Sequence, residues 1–439
     1  MDARHLAQLA AATPNRGDVH VFLGHPLADL CDTTTVEPGN GYSPGVWTYG
    51  ISVWAEVDGE LITPDRLPPE EISWGFGGAH AGPPCLHAEY GTGGARIGHE
   101  LCHLGTVGAE GVDFNRLTLT GRQDATLSIV VRAQGPAGGP LKSLDWCKED
   151  QRLLINGTGQ LIVEFPRMSG EIVAVTGAEG LERIAVLSTV TQAGAHPPSE
   201  VRFKTVHGFA DRPFGAALPR RSQHGELEVD QGIQAAREEW QSALPARVFA
   251  PDPRVGRVWE MSAYHILAAM EAGLPRIGAI NYPSFWMRDG VIILRALDLI
   301  GRHDLARMGA TYLAPLDFAG GFGAEADAPG EGIWALVSHA RLQPDAAWLQ
   351  EVFPHIGRRV DWIERMLGAT EPLRALSESR MPRYLATPGV NVLCLPAEHG
   401  LIHGRMDWHS PDFYINCWAV AGLRLGSWAA ARVGEAGLA

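Results

Sequence analysis

The hydrophobic period of this chain changes once, and that change limits its folds more than any other feature. Between about residues 17 and 210, short apolar runs alternate with polar residues and are punctuated by Gly and Pro. "GVWTYGISVWAEV", "NRLTLTGRQDATLSIVVRAQG", "GQLIVEF", "GEIVAVTG" and "ERIAVLSTV" all follow this pattern. Period two with frequent turn residues predicts an antiparallel β-sandwich. The tract "PPEEISWGFGGAHAGPPCLHAEYGTGG" reads as loop with one short strand. From about residue 228 the apolar spacing becomes three to four, as in "VDQGIQAAREEWQSAL", "RDGVIILRALDLIGR" and "AAWLQEVFPHIGRRVDWIERML". Helices and strands bury different surfaces, so the two halves need separate cores. A length of 439 residues also exceeds one ordinary core. The expected organisation is a sandwich over 1–210, a linker with a helix over 211–250, and a helical domain over 251–439.

Loop lengths refine the helical half. "GRHD" and "LQPD" are short, while the segments around "GLPRIGAINYPSFW", "DFAGGFGAEADAPG" and "SESRMPRYLATPGVNVLCLPAEHGLIHGRMDWHSP" are long. Short turns at one end and long loops at the other predict helical hairpins of the (α/α)6-toroid type, with function on the long-loop face.

Composition narrows the partners. A formal net charge of −14, with no Lys/Arg run, argues against nucleic-acid or anionic-membrane binding. The six cysteines (Cys31, Cys85, Cys102, Cys147, Cys394, Cys417) are sparse and lack a C-x-x-C, which favours unpaired thiols in a reducing compartment. No uninterrupted apolar run reaches the ~18 residues of a membrane span, and the N-terminus lacks a signal-peptide pattern. A cytoplasmic protein without cofactor is expected.

"RIGHELCHLG" holds a His-Glu-x-x-His spacing, which binds zinc when His99 and His103 lie one helical turn apart. Glycines at 91, 93, 94, 98, 105 and 108 disfavour a helix here. In a strand, Ile97, His99, Leu101 and His103 share one face and Glu100 lies on the other. A sandwich strand is therefore expected, and no metal site.

Two segments carry candidate chemistry. In "NYPSFWMRDG", Tyr282, Phe285 and Trp286 precede Arg288 and Asp289 at a helix start. Aromatic faces beside an Arg/Asp pair suit a sugar, though the same residues also suit a helix N-terminus over a core. In "GRMDWHSP", Asp407 lies between Met406 and Trp408, apolar neighbours that favour a protonated carboxyl fit for general-acid work. Glu325, Asp327 and Glu331 on a third long loop are further sugar-binding candidates, as is Trp408.

These motifs resemble those of the inverting six-hairpin glycosidases: glucoamylases, trehalases and glycoside hydrolase family 63. "FWMRDG" is similar to the Trp-x-Arg-Asp segment that binds the non-reducing sugar in glucoamylase-like enzymes. "GRMDWHSP" is similar to the Ser-Gly-Met-Asp-Asn-Ser-Pro segment of family 63, with Gly404 for Ser, Arg405 for Gly, and Trp408-His409 for Asn. The resemblance covers about residues 250–433 and implies inverting hydrolysis of an α-linked glucoside, with Asp407 as general acid. A second carboxylate, about 6.5–9.5 Å away, would activate water. The resemblance places that base beyond residue 439, after roughly six further helices, and so implies an incomplete (α/α)6 toroid here, with weak activity and open apolar faces that favour self-association. A glycoside phosphorylase on the same fold, or a non-catalytic carbohydrate-binding protein, is the alternative.

Overall fold

The computed structural model describes residues 1–17, 19–28, 32–76, 83–91, 95–105, 110–121, 124–177, 180–191, 199–208, 223–278, 285–318, 323–375, 392–407 and 409–435. The chain forms two compact units, Met1–Ala272 and Gly273–Ala439.

The first unit is built on two antiparallel eight-stranded sheets. One contains β1 (Val21–Leu23), β2 (Thr34–Val36), β3 (Tyr42–Ser43), β4 (Gly50–Val57) and β5 (Glu60–Ile62). The other begins with β6 (Ser73–Gly75), β7 (Cys85–Tyr90), β8 (Ala95–Leu104) and β9 (Val112–Gly121). The chain returns to the first sheet with β10 (Ala125–Arg132), then to the second with β11 (Leu144–Cys147), β12 (Arg152–Ile155) and β13 (Gly159–Phe165). β14 (Ser169–Gly177) and β15 (Gly180–Thr191) complete the first sheet and β16 (Ser199–Val206) the second. The strand orders are β1-β2-β3-β4-β10-β15-β14, with β5 on β4, and β11-β12-β13-β16-β9-β8-β7-β6. The inner faces share one core, in which Ala55, Val57 and Ile62 pack with Ala88, Tyr90, Ile97 and Leu119.

Helices cover both outer faces. α1 (Ala3–Ala12) sets Leu6, Ala7 and Ala10 against Trp54, Val130, Ile184 and Val186. Asp2 caps its N-terminus by accepting from the His5 N–H at 2.8 Å. At its other end the buried Arg132 donates to the Ala10 and Thr13 carbonyls and pairs with Asp65 at 3.1 Å. This satisfies carbonyls that a helix end leaves orphaned. α2 (Val229–Ala243) lays Val229, Ile233 and Ala236 on Phe114, Leu104 and Val112 of the second sheet. α3 (Pro253–Ala268) follows, its Tyr264 ring 4.4 Å from Trp240 of α2. The division after Ala272 thus groups α2 and α3 with the sheets, whereas the sequence reading placed them in a linker and a helical domain.

Three details depart from the sequence expectations. α1 was not anticipated. The tract around residue 85 supplies the six-residue β7 as well as β6, because Leu86, Ala88 and Tyr90 alternate inward behind the flanking Gly and Pro. Cys85 and Cys102 are not free thiols: they stand opposite each other in the β7–β8 register and form a disulfide. Cys147, Cys394 and Cys417 are unpaired, and Cys31 lies outside the described residues.

The second unit contains α4 (Met287–Leu299), α5 (His303–Leu313), α6 (Ala328–Leu342), α7 (Ala346–Leu367) and α8 (Asp412–Val433). They form part of a helical-hairpin toroid, with α4–α5 and α6–α7 as hairpins and α8 against α6 and α7. α6 is central and buried along nearly its whole length. Gly330 allows the close approach of α8, since a Cβ there would stand 2.3 Å from the Trp418 carbonyl oxygen. Buried Arg359 of α7 donates to the carbonyls of Leu313, Ala314 and Leu316, tying α7 to the end of α5. Among the described residues, no helix is long and apolar enough to cross a membrane.

Candidate functional site

The starts of α4 and α6 and the segment before α8 lie together, and their side chains meet at Arg288. Arg288 Nε donates to Asp327 Oδ2 at 3.0 Å, Nη2 to Glu325 Oε2 at 2.7 Å, and Nη1 to Asp407 Oδ2 at 3.2 Å. One planar guanidinium thus holds carboxylates from two separate loops, a use of its fixed fork that a lysine could not reproduce.

Local sequence explains how each group arrives. Arg288 lies in the first turn of α4, after Trp286 at the N-cap position. Asp327 immediately precedes α6, and Pro329 in its first turn suits a helix start. Asp407 sits at φ +50° in a tight turn closed by paired Met406–His409 backbone hydrogen bonds of 2.9 Å. Asp tolerates that left-handed conformation better than most residues. Asn416 of α8 anchors the approach to the turn, donating to the Ile402 carbonyl at 2.9 Å and accepting from the Ile402 N–H at 3.0 Å. Gly404 lets this segment lie against residues 324–327, because a Cβ there would come within 2.5 Å of Ala326 Cβ. The Ala326 N–H donates to the Arg405 carbonyl at 2.9 Å, and the Asp407 N–H to Glu325 Oε1 at 3.0 Å.

The electrostatics follow from burial. The Asp327 and Glu325 side chains are 1% and 6% exposed, against 19% for Arg288 and 25% for Asp407, so the cluster meets solvent at Arg288 and Asp407. Burial, with the neighbouring Asp327, pushes Glu325 up to about 8 despite Arg288. Burial likewise raises Asp327, and raises Glu331 well above the carboxylate range. Burial alone would lower the guanidinium of Arg288; Asp327 and Glu325 reverse this and hold it above its ordinary value. Glu331 accepts from Tyr414 Oη at 3.2 Å, and burial beside Glu331 lifts that phenol to about 12. A carboxyl near 8 is protonated at neutral pH and can donate.

The structure therefore brings Arg288, Glu325, Asp327 and Asp407 together, with Glu331 behind them. Among the described residues, the Asp407 carboxylate meets the Arg288 guanidinium and its N–H meets Glu325, polar partners that the apolar surroundings expected from Met406 and Trp408 did not anticipate. Phe285, expected in an aromatic platform, is only 3% exposed, with its ring on Tyr312 and over Gly290. Trp286 is half-buried. Asp289 is half-buried on α4 and has no hydrogen bond to the cluster among the described residues. Tyr282 and Trp408 lie outside the described residues. Tyr414 was missed by sequence reasoning; its position in the first turn of α8, after Pro411 at the N-cap position, was the available signal.

No family model matches this sequence, and no curated protein does. Among solved structures, a family 92 glycosyl hydrolase is 11% identical, with 84% of this chain and 65% of that chain covered and a TM-score of 0.38. A human-microbiome protein assigned as a kojibiose phosphorylase is 8% identical, with 97% and 66% covered and a TM-score of 0.42. The chain thus spans about two thirds of the length of both. At such scores these likenesses carry no argument about chemistry.

Proposed function

We propose that the helical unit binds a carbohydrate at the Arg288 cluster and cleaves a glycosidic bond with acid assistance. The observation that carries this reading is the single guanidinium holding Glu325, Asp327 and Asp407, opening to solvent at Asp407. In this reading Asp407 protonates the leaving glycosidic oxygen. Arg288 donates to a sugar hydroxyl, the buried Asp327 fixes the orientation of its guanidinium, and Glu325 holds a proton beside Asp407. An α-linked glucoside is the proposed substrate. The half-exposed Trp286, with Tyr282 and Trp408, would supply the ring faces on which the sugar stacks.

One feature favours phosphorolysis over hydrolysis as the second reading. Glu325, Asp327 and Asp407 are all engaged by one guanidinium, so none of these three is left free to activate water as the base of an inverting hydrolase. A co-substrate that brings its own nucleophile needs only the acid half. The test is sugar release from α-linked disaccharides and aryl α-glucosides, with and without phosphate, for the native chain and Asp407→Asn. Asp407→Asn is expected to lower turnover by about 10²–10⁴-fold with sugar binding kept within a few-fold. Turnover that requires phosphate selects the second reading. Calorimetric sugar binding without turnover in either chain selects a binding protein, and turnover unchanged in Asp407→Asn removes the assigned role.

A further inference from the structure

The rejected zinc motif leads to a different cluster in the first unit. His103 of β8 stands directly opposite Asp113 of β9 in register. His207 follows β16, its N–H donating to the Gly111 carbonyl at 2.9 Å beside them. Thr34 comes from β2 of the other sheet. All four are buried: 3% exposed for His103, 1% for His207, and 0% for Asp113 and Thr34. Their polar atoms converge. His103 Nδ1 lies 2.9 Å from Asp113 Oδ1, and His207 Nε2 lies 2.7 Å from Asp113 Oδ2. Thr34 Oγ1 lies 2.7 Å from Asp113 Oδ1, 3.3 Å from His103 Nδ1 and 3.2 Å from His207 Nε2.

We propose that His103, Asp113 and His207, with the Thr34 hydroxyl as fourth neighbour, hold a structural divalent transition-metal ion of the zinc class. Bonds of about 2.0–2.1 Å around such an ion put neighbouring ligand atoms about 3.3 Å apart in a tetrahedron and about 3 Å apart in an octahedron. The contacts above fall close to those edges, and the three ligand atoms lie within 4.8 Å of one another. Two imidazoles and a carboxylate suit zinc better than the hard ions calcium or magnesium. Charge also balances. Asp32, 3% exposed, places Oδ1 3.9 Å from the outer nitrogen of His207, so two carboxylates surround the pair of imidazoles and match one divalent ion. A carboxylate behind a ligating histidine is the usual outer-shell arrangement.

The surroundings are shaped for the rings. A Cβ at Gly105 would stand 2.8 Å from His103, and one at Gly111 would stand 2.8 Å from both His103 and His207. The outer nitrogens, His103 Nε2 and His207 Nδ1, have no hydrogen-bond partner among the described residues. Thr34 completes a set of four buried groups, the closed four-coordinate arrangement of a structural site. The ion would join the two sheets across the sandwich, and His99, the other half of the sequence motif, takes no part: its Nε2 meets Asn115 Oδ1 at 2.9 Å.

The test uses the full chain, dialysed against a chelator and then titrated with Zn²⁺ and, separately, with Co²⁺. About one ion per chain should survive desalting, with a higher thermal midpoint for the sandwich and visible d–d bands in the Co²⁺ form without a thiolate charge-transfer band. His207→Gln and Asp113→Asn should weaken the affinity at least about 10-fold. A folded, chelator-treated native chain that takes up neither ion overturns the proposal. So does a thiolate band, which would place the ion on cysteines, or affinity unchanged in both variants. If the variants do not fold, the Co²⁺ spectrum of the native chain decides alone.

Discussion

Replacing Arg288 by Met tests whether the cluster in the helical unit is held as described. The change removes three charge-assisted hydrogen bonds and leaves Glu325, Asp327 and Asp407 facing one another. Breaking a buried ion pair costs about 3–5 kcal/mol. Arg288 keeps 19% of its side-chain surface in water, so the cost here is expected near the low end, about 3 kcal/mol at pH 8. The pH dependence is the sharper signature. Glu325 titrates near 8 in the folded chain, against about 4.3 when unfolded. The folded state therefore binds the proton more tightly. The associated stability is complete below about pH 4 and is lost as pH rises through about 8. Raised Asp327 and Glu331 act in the same direction. Without Arg288 these groups repel more strongly when ionised, so the variant should recover in acid, its deficit shrinking to about 1 kcal/mol near pH 5. Urea unfolding followed by circular dichroism at helical wavelengths, at both pH values, measures this. A deficit equal at the two pH values, or absent at both, would refute the argument that buried carboxylates lean on this guanidinium.

Other predictions follow from named contacts. The sandwich should show the opposite pH trend: burial lowers His99 to about 4, so its contribution is present above about 6.5 and lost as pH falls through 4. Stability measured between pH 7 and 4 should fall less steeply in His99→Gln than in the native chain, and parallel curves would count against it. Gly330→Ala forces α6 and α8 apart, since the new Cβ would meet the Trp418 backbone. Overpacking of about 1–3 kcal/mol should outweigh the helix-propensity gain of up to about 1 kcal/mol, and sugar binding should weaken because Asp327 and Glu331 ride on that helix end. A variant as stable as the native chain would show that the helices separate freely.

What the sequence determined was set by local periodicity. The period-two runs and the later helical spacing defined strands and helices because each records which residues face a core, and "RIGHELCHLG" was legible as a strand because its glycines exclude a helix. The convergence of the three long loops was legible only as an expectation that long loops share one end of a hairpin array. Arg288, Glu325, Asp327 and Asp407 could be nominated singly, but no spacing along the chain states that they meet on one guanidinium; 119 residues separate Arg288 from Asp407. Phe285 could not be told from a platform residue until Tyr312 was seen to cover it. The Cys85–Cys102 pair and the Thr34–His103–Asp113–His207 cluster were equally hidden, for one physical reason. Strand register and sheet stacking decide which side chains oppose one another, and both are set by tertiary packing. His103 belongs to a site only because β9 brings Asp113 opposite it, β16 leads His207 alongside, and the facing sheet supplies Thr34.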